Sequence, residues 1–253
     1  MKQVLVFMLL TLTTHSVKSK QVNIVTEHLP PFQIVENNKV TGYATEIISE
    51  ALSHTNLTSS IEGYPWTRAY NMALNNKNTC IYSIARTPNR EKLFQWVGEL
   101  TYTDSYFIGL KSRKDIKINS VEDAKQYKVA VIRDDVTHQT MKSYGFEENK
   151  NLYIVNNTYS LLKLLHDSKS IDLILADDLT IKYRALFNGL SPDLFTTFHK
   201  MNITPFIFYL ACSKTTDRAV VDQLSKGLET IKENGVKNRI EDKWSIHRSK
   251  LNE

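Results

Sequence analysis

Short apolar strands alternate with amphipathic helices along this chain, and that alternation restricts the fold more than any other feature. A first strand is predicted at 22–25, a helix at 43–54, and a second strand near 59–63 that leads into another helix. Segment 79–85 is apolar enough to be a strand buried on both faces. Strands that alternate with helices in this way form a mostly parallel sheet with right-handed crossovers.

The same alternation begins again after residue 110 and predicts a second α/β unit. Strands are expected at 129–132, 152–155 and 171–175, each followed by a helical pattern. A last apolar strand at 206–212 precedes a helix that Gly235 is expected to end. The length of the chain allows two domains of about 100–150 residues each.

The N-terminus has the layout of a secretory signal peptide. Lys2 precedes an apolar run from Val4 to Leu12, and small and polar residues continue to Ser19. The run is too short to span a bilayer, and no later segment approaches the roughly 20 apolar residues that a spanning helix needs. Cleavage is expected after Ser19, which leaves a soluble periplasmic chain that begins at Lys20 and is expected to be monomeric.

Charge and histidine spacing argue against nucleic acid and metal as partners. The formal net charge is +5, and it falls to +3 when Lys2 and Lys18 leave with the predicted signal peptide. The basic residues are spread along the chain, without a basic helix, a zinc-finger spacing or an aromatic-basic strand motif. The histidines show no ligand-like spacing with cysteines or acids, so neither a metal nor a cofactor is predicted.

The most specific motif follows the third predicted strand. There the residues from Ser83 to Glu91 read SIARTPNRE, and Phe94 and Trp96 follow. Further marks occur in order along the chain: Pro30-Pro31-Phe32, Gly42-Tyr43, and Asn234-Gly235 with Ile240 and Trp244. Together these residues resemble the family 3 periplasmic solute-binding proteins, the amino-acid-type receptors of ABC importers. The resemblance covers nearly the whole predicted mature chain.

The resemblance implies the type II periplasmic-binding fold, in which two α/β lobes are joined by two hinge crossovers. Lobe 1 would combine 20–103 with 206–253, and lobe 2 would comprise 104–205. The lobes would close as rigid bodies on a ligand between them. The implied function is capture of an amino acid or a related small carboxylate for a membrane ABC permease.

Two other functions are weighed against this one. The lobes could act as a ligand sensor through a membrane signalling protein, since no signalling domain is present in the chain. A dehydratase-like enzyme on the same fold would need a positioned acid/base group, and Glu27-His28 is the only adjacent pair near a strand end. The pair is equally explained as loop structure beside two prolines, and no catalysis is expected.

The resemblance assigns the two charged ligand contacts. Arg90 corresponds to the family arginine that grips the ligand α-carboxylate, and a guanidinium suits this role because it can donate two parallel hydrogen bonds. The alternative is a surface salt bridge with Glu91 or Glu99. Asp177 corresponds to the acid that receives the α-ammonium, although its neighbour Asp178 leaves the register open, because an acid here could cap the next helix.

Other residues at the strand ends complete the expected site. Trp66 and Tyr82 are expected to cover the apolar part of a ligand, with core packing as the alternative for each. Ser83 within the motif and Glu27 after the first strand are further candidates. Thr137 lies where the family places contacts from a helix N-terminus, although the two acids before it could cap that helix unaided.

Arg68 and Arg86 add positive charge beside Arg90. Either side chain may instead face solvent, where arginine usually lies. If both point inward, three guanidiniums would need an anionic partner, and the ligand would carry more negative charge than a neutral amino acid. Ala85 stands where many relatives have a hydroxyl residue, so one ligand hydrogen bond is expected to be missing.

Cys80 and Cys212 are the only cysteines. In the topology that the resemblance implies, Cys80 lies early in the third strand and Cys212 late in the strand that returns from lobe 2. The two would then be neighbours, and an oxidising compartment would join them. The alternative is two separately buried thiols.

Overall fold

A computed structural model describes residues 20–167 and 170–244, except for the side chains of residues 159, 178 and 179. The predicted signal peptide lies outside this range. The described residues form twelve strands and eight α-helices. The strands are β1 (Gln21–Thr26), β2 (Ile34–Glu36), β3 (Lys39–Thr41), β4 (Thr58–Gly63), β5 (Thr79–Ala85), β6 (Phe94–Thr103), β7 (Tyr106–Leu110), β8 (Val129–Ile132), β9 (Leu152–Val155), β10 (Leu173–Ala176), β11 (Phe195–Lys200) and β12 (Phe206–Ser213). The helices are α1 (Tyr43–Ser53), α2 (Trp66–Asn75), α3 (Val121–Ala124), α4 (Val136–Ser143), α5 (Thr158–Asp167), α6 (Asp178–Phe187), α7 (Arg218–Glu233) and α8 (Val236–Lys243).

The first sheet has the strand order β4-β1-β5-β12-β6. Strand β1 pairs in parallel with β4 and β5, whereas β12 runs antiparallel to β5 and β6. One strand from the second half of the chain is therefore inserted between strands of the first half. This sheet, with helices α1, α2, α7 and α8, is called lobe 1 below.

The second sheet has the order β11-β7-β10-β8-β9. Strands β10, β8 and β9 are parallel, and β7 runs antiparallel to β10 and β11. With helices α3 to α6 it forms lobe 2. The chain crosses between the lobes after β6 and again before β12, and each sheet has one strand opposed to the other four. The prediction of two mostly parallel α/β sheets joined by two crossovers is confirmed.

Helical spacing of apolar residues explains how lobe 1 closes its core. In α1, Ile47 and Ile48 are fully buried and belong to the same cluster as Ile24 of β1. The long helix α7 presents one apolar stripe to this cluster. That stripe consists of Val220, Val221, Leu224, Leu228 and Ile231.

Two edge strands, β6 and β11, and the β2–β3 hairpin were not predicted from the sequence. Both edge strands pair on one side only, and their residues are largely half-buried or exposed. Such strands lack the density of apolar and aromatic residues that identified β5. Gly235, with φ of 74°, lies between α7 and α8, where the sequence placed the helix stop.

A disulfide joins Cys80 of β5 to Cys212 of β12. The two residues are direct partners in the antiparallel register, and both are fully buried. The bond closes a sequence separation of 132 residues that includes all of lobe 2. It therefore fixes the returning strand to the sheet that the chain left earlier.

None of the helices in the described part of the chain combines the length and the apolarity that a bilayer-spanning helix requires.

Candidate functional site

A cavity of about 70 Å³ lies between the two lobes. Three acids that line it, Glu27, Asp135 and Asp177, each lie within three residues of the carboxyl end of a strand: β1, β8 and β10 respectively. Ligands of parallel sheets bind at this edge. The charged and polar residues of the lining are Glu27, Ser83, Arg90, Thr103, Asp104, Ser105, Asp135, Thr137, Asp177, Thr180 and Arg184.

Arg90 is buried in this cavity with 2% of its surface exposed. Its Nη1 donates to the main-chain oxygen of Ala85 at 3.2 Å, while Nη2 reaches across to lobe 2 and donates to the main-chain oxygen of Asp134 at 3.1 Å. Its Nε is buried without an acceptor among the described residues. Burial lowers the pKa of the guanidinium.

Two aromatic rings hold the Arg90 guanidinium in place. Its Cζ lies 5.1 Å from the centre of the Trp66 ring and 5.3 Å from the centre of the Tyr70 ring. Both distances allow a cation–π attraction. Trp66 itself lines the cavity at the start of α2, and its Nε1 has no acceptor among the residues that the structure describes.

Asp177 lines the cavity from lobe 2 and is also bound to the first crossover. Its Oδ2 accepts from Thr103 Oγ1 at 2.7 Å and from the Asp104 main-chain nitrogen at 3.1 Å. Its Oδ1 accepts from the Thr180 main-chain nitrogen at 3.2 Å, which caps α6. A strand end, a helix start and a hinge therefore converge on one carboxylate.

Glu27 faces the cavity from lobe 1 and is 8% exposed. Its Oε2 accepts from Thr158 Oγ1 of lobe 2 at 3.4 Å. Burial raises the pKa of this carboxyl to about 8, and nearby Asp135 adds to the rise, whereas Arg184 and Arg90 oppose it. Protonated Glu27 can donate a hydrogen bond, as well as accept one.

Ser83 and Thr137 also line the cavity. Ser83 has φ of 58° and interrupts the β5–β12 register, because Tyr82 and Ile84 have partners in β12 and Ser83 has none. It is the extra residue of a β-bulge. Its Oγ donates to Gln33 Oε1 at 2.8 Å, while Thr137 Oγ1 donates to Asp135 Oδ1 at 2.6 Å.

Three residues predicted for the site lie elsewhere. Tyr82 is fully buried in the core of lobe 1, where its hydroxyl is 2.7 Å from Thr45 Oγ1, so its ring adopts the core-packing alternative and does not line the cavity. Its side chain lies on the face of β5 that packs against α1. Arg86 and Arg68 are exposed, which was the alternative considered for both.

Their partners explain why these two arginines stay at the surface. Arg86 donates to Glu91 from Nε at 2.8 Å and from Nη2 at 2.6 Å. Glu91 is thus bound to Arg86 and not to Arg90. Arg68 lies over the Tyr64 ring, with Cζ 4.3 Å from its centre.

Arg184 of α6 was not predicted for the site. It is 7% exposed and lines the cavity with Thr180, which precedes it by one helical turn. The spacing of Asp177, Thr180 and Arg184 places them on one face of the helix and its cap, since residues three or four apart are neighbours. This spacing is the sequence feature from which a cavity-facing Arg184 could have been predicted. Burial lowers the pKa of Arg184, against the attraction of Glu27, Asp177 and Asp135.

No group of three or more histidine, cysteine, aspartate or glutamate side chains in residues 20–167 and 170–244 is arranged to hold a metal ion.

Comparison with known proteins places this geometry in a family. The family described as bacterial extracellular solute-binding proteins, family 3, matches residues 22–247. No curated protein matches the sequence. Three similar solved structures share the fold and cover most of the chain.

A histidine kinase sensor domain with similarity to periplasmic binding proteins aligns with a TM-score of 0.79 at 17% identity, over 89% of this chain and 96% of that one. An ancestral arginine-binding protein bound to arginine gives 0.76 at 18% identity, over 88% and 97%. The arginine-, lysine- and histidine-binding protein ArtJ from Geobacillus stearothermophilus gives 0.77 at 13% identity, over 92% and 98%. The predicted periplasmic-binding fold is confirmed. Because the family match spans nearly the whole described chain, this protein belongs to the bacterial extracellular solute-binding proteins of family 3.

Proposed function

We propose that this protein is a periplasmic receptor that closes on an amino acid or a related small carboxylate and presents it to a membrane ABC permease. The observation that carries the proposal is the burial of Arg90 between the lobes, with its Nε unpaired among the described residues. A guanidinium buried without its full set of acceptors is costly, and a ligand carboxylate supplies them. The Trp66 ring beside it provides an apolar wall.

Contacts from both lobes make the bound state a closed state. Arg90 and Glu27 of lobe 1 both reach residues of lobe 2. A ligand that touches both lobes has a higher affinity for the closed arrangement than for an open one, so its binding shifts the population toward closure. Asp177 of lobe 2, which accepts hydrogen bonds from the first crossover, is the proposed acceptor for a ligand ammonium group.

A sensor role is the second candidate function. The histidine kinase sensor domain supports it, because that domain aligns over 96% of its own length. In that case the closed lobes would dock on a membrane signalling protein. Loss of the protein would abolish a transcriptional response to the ligand and leave ligand uptake unchanged, whereas a transport receptor would show the reverse.

Catalysis is not part of the proposal. His28, the neighbour of Glu27, accepts a hydrogen bond at Nδ1 from the Val35 main-chain nitrogen at 3.0 Å. Its ring centre lies 4.4 Å from that of Phe187, and burial lowers its pKa to about 4. These contacts favour a structural role for His28 over acid/base work.

The export of the protein to the periplasm can be tested separately from ligand binding. The buried Cys80–Cys212 disulfide supports export to an oxidising compartment. N-terminal sequencing of the exported protein is expected to begin at Lys20. A mature form that retains residues 1–19 would contradict the signal-peptide interpretation.

The binding proposal is tested by a thermal-shift screen of the purified protein against amino acids, dicarboxylates, polyamines and short peptides. A ligand that binds the folded state raises the melting temperature. We expect a carboxylate among the hits, and we expect Arg90→Gln to abolish its shift. Arg218→Gln is the matched control, because that side chain is 77% exposed on α7. A hit that survives Arg90→Gln would overturn the site assignment, and product formation would favour an enzyme.

A further inference from the structure

Arg184 is a second cation in the interlobe cavity, and it comes from the opposite lobe to Arg90. It is 7% exposed, and its Nε has no hydrogen-bond partner among the described residues. Glu27, Asp177 and Asp135 attract it from a distance, without forming an ion pair with it in the part of the chain that the structure describes. A charge buried in this way is costly unless a partner completes its hydrogen bonds.

The nearby carboxylates already have donors of their own. Asp135 Oδ1 accepts from Thr137 Oγ1 at 2.6 Å and from the His138 main-chain nitrogen at 2.9 Å. Asp177 accepts from three donors at the hinge and at the start of α6. Glu27 has a raised pKa, so near neutral pH its carboxyl tends toward the protonated form. The two aspartates therefore already accept hydrogen bonds from other donors, and none of the three acids forms an ion pair with Arg184 among the described residues.

The unpaired atoms of the cavity lining are all of one kind. Among described residues that line the cavity, the buried side-chain atoms without a hydrogen bond are Nε1 of Trp66, Nε of Arg90 and Nε of Arg184. Each is an N–H donor. A lining that has donors to spare is complementary to a ligand rich in acceptors.

We propose, on the basis of the receptor function above, that the ligand carries two acidic groups, one bound by Arg90 of lobe 1 and the other by Arg184 of lobe 2. An acidic amino acid or a small dicarboxylate fits this description. The cavity volume of about 70 Å³ favours a compact ligand over a long one. The sequence made extra negative charge on the ligand conditional on Arg68 and Arg86 pointing inward; both face solvent, and the second acidic group is proposed from Arg184 instead.

Selectivity follows from the same arrangement. A ligand with one carboxylate would satisfy Arg90 and leave Arg184 buried and unpaired, so the site would reject it. A site that is built to bond a charged group discriminates strongly against an analogue that lacks it. The amides glutamine and asparagine are suitable analogues, because each replaces one carboxylate by a neutral group of nearly the same size.

Calorimetric titration of the full mature chain tests the proposal. The probes are L-glutamate, L-aspartate and succinate, against L-glutamine, L-asparagine and the basic L-arginine. We expect the affinity for at least one acidic probe to exceed that for its amide by about tenfold or more. Arg184→Gln should lower the affinity for that acid by roughly 10- to 100-fold. Affinity for the amide should change by less than about threefold. Arg218→Gln again serves as the exposed control.

Four outcomes separate the two proposals. Equal affinities for acid and amide, or tighter binding of a basic amino acid, would overturn the two-acid ligand and leave the receptor function standing. An equal loss of affinity for the acid and for the amide in Arg184→Gln would mean that Arg184 has a structural role and does not bind the second acidic group. Failure of every amino acid and carboxylate to bind the wild type would end both proposals. If Arg184→Gln does not fold, Arg184→Lys keeps the charge, and it should retain the acid preference at reduced affinity.

Discussion

Arg90 of lobe 1 donates a hydrogen bond from Nη2 to the main-chain oxygen of Asp134 in lobe 2, at 3.1 Å. Asp134 has φ of 60°, a backbone conformation that non-glycine residues rarely adopt. The arginine proposed to bind the ligand therefore also joins the lobes directly. In the proposed receptor, ligand affinity and lobe closure would therefore depend on the same side chain.

Arg90→Lys separates the charge of this residue from its geometry. A lysine ammonium keeps the positive charge but lacks the planar fork that reaches Ala85, Asp134 and a ligand together. We expect the affinity for the ligand identified by thermal shift to fall by about tenfold or more. Titration calorimetry measures this, with Arg218→Lys as the exposed control. Unchanged affinity in Arg90→Lys would show that charge alone suffices.

Tyr82→Phe tests whether the interior position of this ring is correct. The Tyr82 hydroxyl lies 2.7 Å from Thr45 Oγ1, which itself donates to the Thr41 main-chain oxygen at 2.9 Å. Loss of this buried hydrogen bond should lower the free energy of unfolding by about 1 kcal/mol. Ligand affinity should stay the same, because the side chain lies outside the cavity lining.

Urea unfolding and calorimetry together decide the Tyr82 prediction. Trp66→Phe is the contrasting variant, because Trp66 does line the cavity. We expect Trp66→Phe to lower the affinity for the ligand, whereas Tyr82→Phe should leave it unchanged. A loss of affinity in Tyr82→Phe equal to that in Trp66→Phe would restore the original placement of Tyr82.

The sequence was sufficient to predict the features that depend on local patterns. Strand β5 was predicted at its observed bounds because its segment is dense in apolar and aromatic residues, and all seven of its residues are buried. The alternation of strands and helices predicted both sheets, and the motif around Arg90 predicted the most buried cation of the cavity. Each of these features depends on residues that are consecutive in the sequence.

Features that depend on contacts between distant segments could not be predicted in this way. The bulge at Ser83 arises from its mismatch with β12, more than 100 residues away, and no glycine marks its positive φ. Arg86 pairs with Glu91, so the surface alternative applied to that residue and not to Arg90. The role of Arg184 depends on how α6 packs against the strand ends, and its spacing from Asp177 and Thr180 indicates only that the three residues share one face of the helix.

The Cys80–Cys212 disulfide should contribute strongly to stability. It restricts the unfolded chain across a separation of 132 residues, and loss of such a bond typically costs about 2–5 kcal/mol. We expect wild-type protein unfolded in urea with a reductant to show a midpoint well below that of the oxidised protein. The double variant Cys80→Ala/Cys212→Ala should show a low midpoint in both conditions. Identical midpoints for oxidised and reduced wild type would contradict this prediction.

Glu27 should make stability depend on pH above the acidic range. Its pKa is about 8 in the folded protein against an ordinary value of 4.5, so the folded state holds a proton that the unfolded chain has released. Stability therefore falls as pH rises from about 4.5 to about 8, and the loss stops growing once the folded carboxyl also ionises. Glu27→Gln, which cannot ionise, removes this loss. The variant should become progressively more stable than wild type between pH 5 and pH 8.

Urea unfolding at pH 5, 6, 7 and 8 measures the Glu27 effect. Glu36→Gln is the matched control, because Glu36 is exposed at the end of β2, and its unfolding should follow wild type at every pH. The test is specific because only a carboxyl that is buried beside Asp135 carries the cost of ionisation. Parallel curves for wild type and Glu27→Gln would mean that Glu27 is ionised in the folded protein, with Arg90 and Arg184 outweighing its burial.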